Sequence, residues 1–91
     1  MNARLVVITG RVQRVGYRDW MVREARRLGV AGWVRNRRDG AVEALVAGDI
    51  AAVQALLSAC RRGPLLARVD AIAEEFAEAP AEPGFERRPD A

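Results

Sequence analysis

Apolar and polar side chains alternate over residues 4–12 (RLVVITGRV), a stretch rich in β-branched residues, and this predicts a strand. The period then changes. Tyr17, Met21, Ala25 and Leu28 recur at helical spacing with Trp20 beside them, while Arg23, Arg26 and Arg27 fall on the opposite side. Gly29 stands where such a helix would stop. Residues 30–37 return to strand character, Asp39-Gly40 is a turn pair, and residues 41–47 alternate again, which predicts a hairpin. Asp49 is placed to cap a second helix whose apolar stripe is Ile50, Val53, Leu56, Leu57 and Cys60, with Gly63-Pro64 ending it. Residues 66–76 read as a further strand, 77–84 as a loop, and 85–88 as a short last strand.

The element order is β-α-β-β-α-β with that short addition, and residues 1–91 are expected to form one domain. An α+β fold follows: a ferredoxin-like α/β sandwich, with an antiparallel sheet and both helices on one of its faces. This scaffold hosts many activities, so function has to be read from particular residues.

Composition removes most chemistries. The chain has 91 residues, 51% of them hydrophobic, which is too apolar for disorder and too short for two cores. No apolar run approaches the ~20 residues of a membrane span, and the N-terminal residues lack a secretory pattern, so a cytoplasmic protein without a membrane partner is expected. The single Cys60 excludes an internal disulfide and a thiolate metal cluster, and it reads as a small buried hydrophobe. All 15 basic residues are arginine, against 12 acidic ones, for a net charge of +3. Without His there is no imidazole base; without Lys there is no Schiff base and no Walker-type lysine. Arginine, carboxylates, amides and backbone groups remain.

One segment combines them suggestively. In GRVQRVGYR, residues 10–18, a strand runs through a short glycine-containing loop straight into a helix. Amides at a helix start are unsatisfied and favour an anion, no acidic residue fills the loop, and Arg14 and Arg18 lie in it or just after it. Such an arrangement suits a phosphate. On spacing alone, glycines serving a tight turn beside solvated arginines are the better reading. Asn36 lies late in the second strand, where it is either ordinary turn chemistry or close to that loop. Trp20, Trp33 and Phe76 are expected to pack, Glu74, Glu75 and Glu78 to be solvated, and Arg61-Arg62 to complement a helix C-terminus.

Two stretches, GRVQRVGYR and GWVRNRRDGAVE (residues 32–43), resemble the acylphosphatase family, whose pattern is roughly G-x-V-Q-G-V-x-[FY]-R followed by G-x-V-x-N-x-x-D-G-x-V-E. Length, element order and Phe85 near the end fit as well, so the resemblance spans essentially the whole chain. It implies hydrolysis of small acyl phosphates to a carboxylate and inorganic phosphate, without metal or cofactor. Arg18 would bind the phosphate, Gln13, Arg14, Val15, Gly16, Tyr17 and Arg18 would surround it with backbone amides, and Asn36 would position the attacking water. Arg14 departs from the family pattern, which has Gly there; if the position needs positive φ, a non-glycine residue costs about 1–2 kcal/mol. Two other readings compete. A nucleic-acid-binding module would use the arginines around Asn36–Asp39, but its strands offer only Trp33 for stacking. A domain of a larger carbamoyl-transferring enzyme would carry the same motifs. A stand-alone monomer acting on a small acyl phosphate, with no nucleic-acid partner, is the expectation.

Overall fold

The alternating segments pair as strands because each has one apolar face to bury. In the computed structural model, residues 2–91 are described. The elements are β1 (Asn2–Arg11), α1 (Tyr17–Leu28), β2 (Ala31–Asn36), β3 (Val42–Gly48), α2 (Ile50–Cys60), β4 (Arg68–Phe76) and β5 (Phe85–Arg87). The strands form one sheet in the order β4-β1-β3-β2-β5. β1 pairs antiparallel with β3 and β4, and β2 pairs antiparallel with β3, with Leu5 opposite Leu45 and Val34 opposite Ala44.

The inward residues Val6, Ile8, Val34, Ala44 and Val46 meet Tyr17, Met21 and Ala25 of α1 and Val53, Leu56 and Cys60 of α2 in one core, which Phe85 completes. Both helices therefore cover one face, as the ferredoxin-like reading requires. On the other face Trp33 lies against the guanidiniums of Arg35 and Arg88, at 5.0 and 4.8 Å from its ring centroid. Arg35 faces Glu43 across the β2–β3 register and bonds it at 2.7 Å.

Four expectations need correction. The sheet is mixed, because β5 runs parallel to β2, with Gly32 beside Phe85 and Val34 beside Arg87. The 77–84 segment carries the chain from the β4 edge to the opposite edge, and a connection of that length frees the last strand from hairpin geometry. Phe76 is not packed but 83% exposed, on an edge strand with the Arg4 guanidinium 4.2 Å from its centroid. Ile50 opens α2 from a position beyond the core and is 52% exposed. Asp49 precedes α2 but makes no side-chain cap bond; its carbonyl accepts from the Val53 N–H instead.

One tertiary bond and one bulge shape the end of the fold where β1 runs into α1. The Tyr17 hydroxyl donates to the Cys60 carbonyl at 2.6 Å, tying the start of α1 to the end of α2. Burial pushes the Tyr17 phenol well above its ordinary range and the Cys60 thiol up to about 12, so both stay protonated at neutral pH. At the end of β1, pairing with β4 shifts register between Thr9 and Gly10. Gly10 has φ +127°, and a Cβ there would collide with the Arg68 carbonyl oxygen, so only glycine permits this bulge.

Candidate active site

Beyond that bulge the chain turns twice before α1 begins. Arg14 adopts φ 62° and is, among the described residues, the one non-glycine with positive φ. Gly16 follows in the same left-handed region as the N-cap of α1, at φ 78° and ψ 19°, and offers no side-chain cap. The Trp20 N–H makes the first helical bond, to the Gly16 carbonyl. The amides of Tyr17, Arg18 and Asp19 thus have no carbonyl one turn back. Among the described residues the Arg14, Val15 and Gly16 amides donate to no protein acceptor either. A run of free donors at a helix N-terminus is an anion receptor.

Arg14, Gly16, Tyr17 and Arg18 line a cleft of about 70 Å³ with Val12, Asp19, Asn36 and Arg87, room for a small anion. Larger clefts exist, including one of about 510 Å³ at Arg26, Gly29, Val30, Ala31 and the loop ending at Phe85. That one holds a single cation, Arg26, whose Nε is already bound to the Phe85 carbonyl. Chemistry rather than size singles out the smaller cleft: Arg14, Arg18 and Arg87 line it beside the free amides, and Asp19 is the carboxylate in its lining.

Arg18, in the first turn of α1, is 20% exposed, and its Nη1 donates to Asp90 Oδ1 at 2.7 Å. Asn36 ends β2 and is 7% exposed; its Oδ1 is buried with no hydrogen-bond partner. An unsatisfied buried carbonyl oxygen costs about 1–3 kcal/mol, so the fold holds an acceptor in reserve at the cleft. Gly16 lines the cleft with backbone alone, whereas Val15 is not part of its lining and packs its side chain against the core. The Tyr17 side chain points into the core, leaving its amide at the cleft. The Gln13 side chain does not line the cleft. Its Nε2 donates to the carbonyls of Arg37 and Ala41, at 2.8 and 2.9 Å, and so clamps the loop to the β2–β3 turn that follows Asn36. Asp39 closes that turn by accepting from the Ala41 N–H.

Sequence reasoning missed Arg87, Asp19 and Asp90. Arg87 Nη1 bonds Asp19 Oδ1 at 2.8 Å, and the guanidinium holds the Asp19 carboxyl below the usual carboxylate range. No local pattern marks Arg87. It reaches the cleft because β5 pairs with β2 two positions from Asn36.

The family's acylphosphatase profile matches residues 4–87. The chain belongs to the acylphosphatase family. An acylphosphatase of Acidiphilium cryptum is 66% identical over 97% of both chains, and one of Rhodospirillum rubrum is 55% identical over 98% of both. The crystal structure of an acylphosphatase from Bacillus subtilis superposes with a TM-score of 0.91 at 32% identity, covering 97% of this chain and 99% of that one.

Within this acylphosphatase the Arg14 backbone answers the question its sequence raised. The position does take positive φ, and arginine there carries about 1 kcal/mol of strain that glycine would not. Arg14→Gly is expected to leave benzoyl phosphate hydrolysis equal or higher. Its thermal midpoint should stay within a few degrees, since relief of strain offsets the added freedom of the unfolded chain. A clear loss of affinity for inorganic phosphate in that variant would make Arg14 a ligand instead.

Proposed function

We propose that this acylphosphatase cleaves small acyl phosphates with Arg18 and the loop amides holding the phosphoryl group and Asn36 orienting the attacking water. The observation that carries the reading is the buried, unpartnered Asn36 Oδ1 on the same small cleft as Arg18 and the free amides.

The chemistry follows from those groups. The phosphoryl oxygens accept from the amides and from a guanidinium whose planar fork can engage two oxygens at once. Asn36 Oδ1 accepts a hydrogen bond from the water, which aims an oxygen lone pair at phosphorus. As that oxygen bonds to phosphorus, the bond to the acyl oxygen breaks and its electrons leave on the carboxylate. Asn36 is no base, so the water proton passes to a phosphoryl oxygen. A carboxylate leaves readily without strong acid assistance, and positioning with charge stabilisation supplies the rate.

The same proposal has residues 1–91 acting as one monomeric unit in the cytoplasm on a small molecule, with inorganic phosphate as product and no nucleic-acid partner. No helix among the described residues is long and apolar enough to cross a membrane. Metal-free hydrolysis of benzoyl phosphate, inhibited competitively by inorganic phosphate, is the expected result. Turnover indistinguishable from the uncatalysed rate would reject the reading.

A further inference from the structure

We infer that Asp90 is an internal competitor for the anion site and sets its affinity, because its carboxylate holds the Arg18 guanidinium that the phosphoryl group must take. The inference rests on the assignment of Arg18 to the phosphate. The 2.7 Å contact is short, as charge-assisted bonds are. Backbone bonds deliver Asp90 there. Past β5, the Arg88 N–H donates to the Val34 carbonyl at 2.8 Å and the Ala91 N–H to the Asn36 carbonyl at 2.9 Å. Residues 88–91 thus continue alongside β2 to its end, and the Asp90 carboxylate arrives at the Arg18 guanidinium.

The pair is also easy to open. The Asp90 side chain is 63% exposed, against 20% for Arg18, and accepts no other side-chain bond among the described residues. It can swing to water while Arg18 stays in place. The neighbouring cations differ: Arg87 is held by Asp19, and Arg14 is in no ion pair among the described residues. Arg18, the cation assigned to the phosphoryl group, already has a carboxylate on its Nη1, with which an incoming anion competes for the guanidinium.

A competitor of this kind leaves the transition state untouched and taxes every anion equally. Exposed pairs of this type are weak, so the open fraction is reduced by a factor of about 2 to 6, and apparent affinities fall by the same factor. Asp90→Asn and Asp90→Ala are expected to lower the KM for benzoyl phosphate and the inhibition constant of inorganic phosphate together by about 2- to 6-fold, with kcat unchanged. Glu78→Gln, at an exposed side chain in no ion pair among the described residues, removes one negative charge elsewhere and should match the wild type. Phosphate titration followed through the Val15 and Gly16 amide resonances reads the same shift without turnover. Unchanged or raised constants, or a fall in kcat, would overturn the inference, the latter making Asp90 a positioning residue for Arg18. If phosphate competes normally with the wild type and only the Asp90 variants show no effect, Asp90 alone is rejected. If phosphate does not compete at all, the Arg18 assignment falls first and the inference with it.

Discussion

Arg18→Ala lowers kcat/KM for benzoyl phosphate by about 10³-fold or more, with KM raised and kcat depressed. Both constants move because the guanidinium meets the phosphoryl group on binding and meets more charge as the bond to the acyl oxygen stretches. Folding should be nearly indifferent. The bond lost is a partly exposed pair with Asp90, worth at most about 1 kcal/mol, so the thermal midpoint drops by no more than a few degrees. Arg18→Lys is the informative companion: it keeps a point charge but loses the planar fork that grips two oxygens, and should recover only part of the loss. Retention of kcat/KM within tenfold in the alanine variant would remove Arg18 from the site.

Asn36→Ala should separate activity from stability. Turnover is expected to fall about 10²- to 10³-fold with KM little changed, since a misdirected water affects the chemical step more than phosphate binding. Stability should hold or rise. Among the described residues the Asn36 side chain makes no hydrogen bond, and removing an unsatisfied buried acceptor relieves a penalty of about 1–3 kcal/mol. For a chain of this size that is a midpoint unchanged or several degrees higher. A large drop in stability would show that Asn36 is there to pack, and wild-type turnover would end its proposed role.

Local structure was legible wherever the hydrophobic period was long enough to be unambiguous. The first helix is bounded at Tyr17 and Leu28 as its stripe and Gly29 foretell, and the hairpin turns at Asp39-Gly40 as its residues favour. The two motifs pointed to the cleft that Arg18 and Asn36 share. What escaped was decided by distance along the chain. Nothing in FERRPDA reveals that β5 pairs parallel with β2, or that Arg87 and Asp90 thereby reach residues 68 and 72 positions away. Phe76 is a β-favouring aromatic, yet at a sheet edge its side chain has nothing above it but Arg4. Gln13 belongs to the motif, but which partner its amide would choose depended on the hairpin folding back over it. At Arg14 the substitution was visible while the dihedral angle was not.

The Gln13 clamp gives this site no local precursor. Its loop is joined to carbonyls 24 and 28 positions later, and the guanidinium at its centre to a carboxylate 72 positions later. Chain closure over such separations comes late in folding, after helices and the hairpin have formed. Catalytic competence is therefore a property of the completed topology, and recovery of turnover during refolding would time the last long-range closure rather than the first secondary structure.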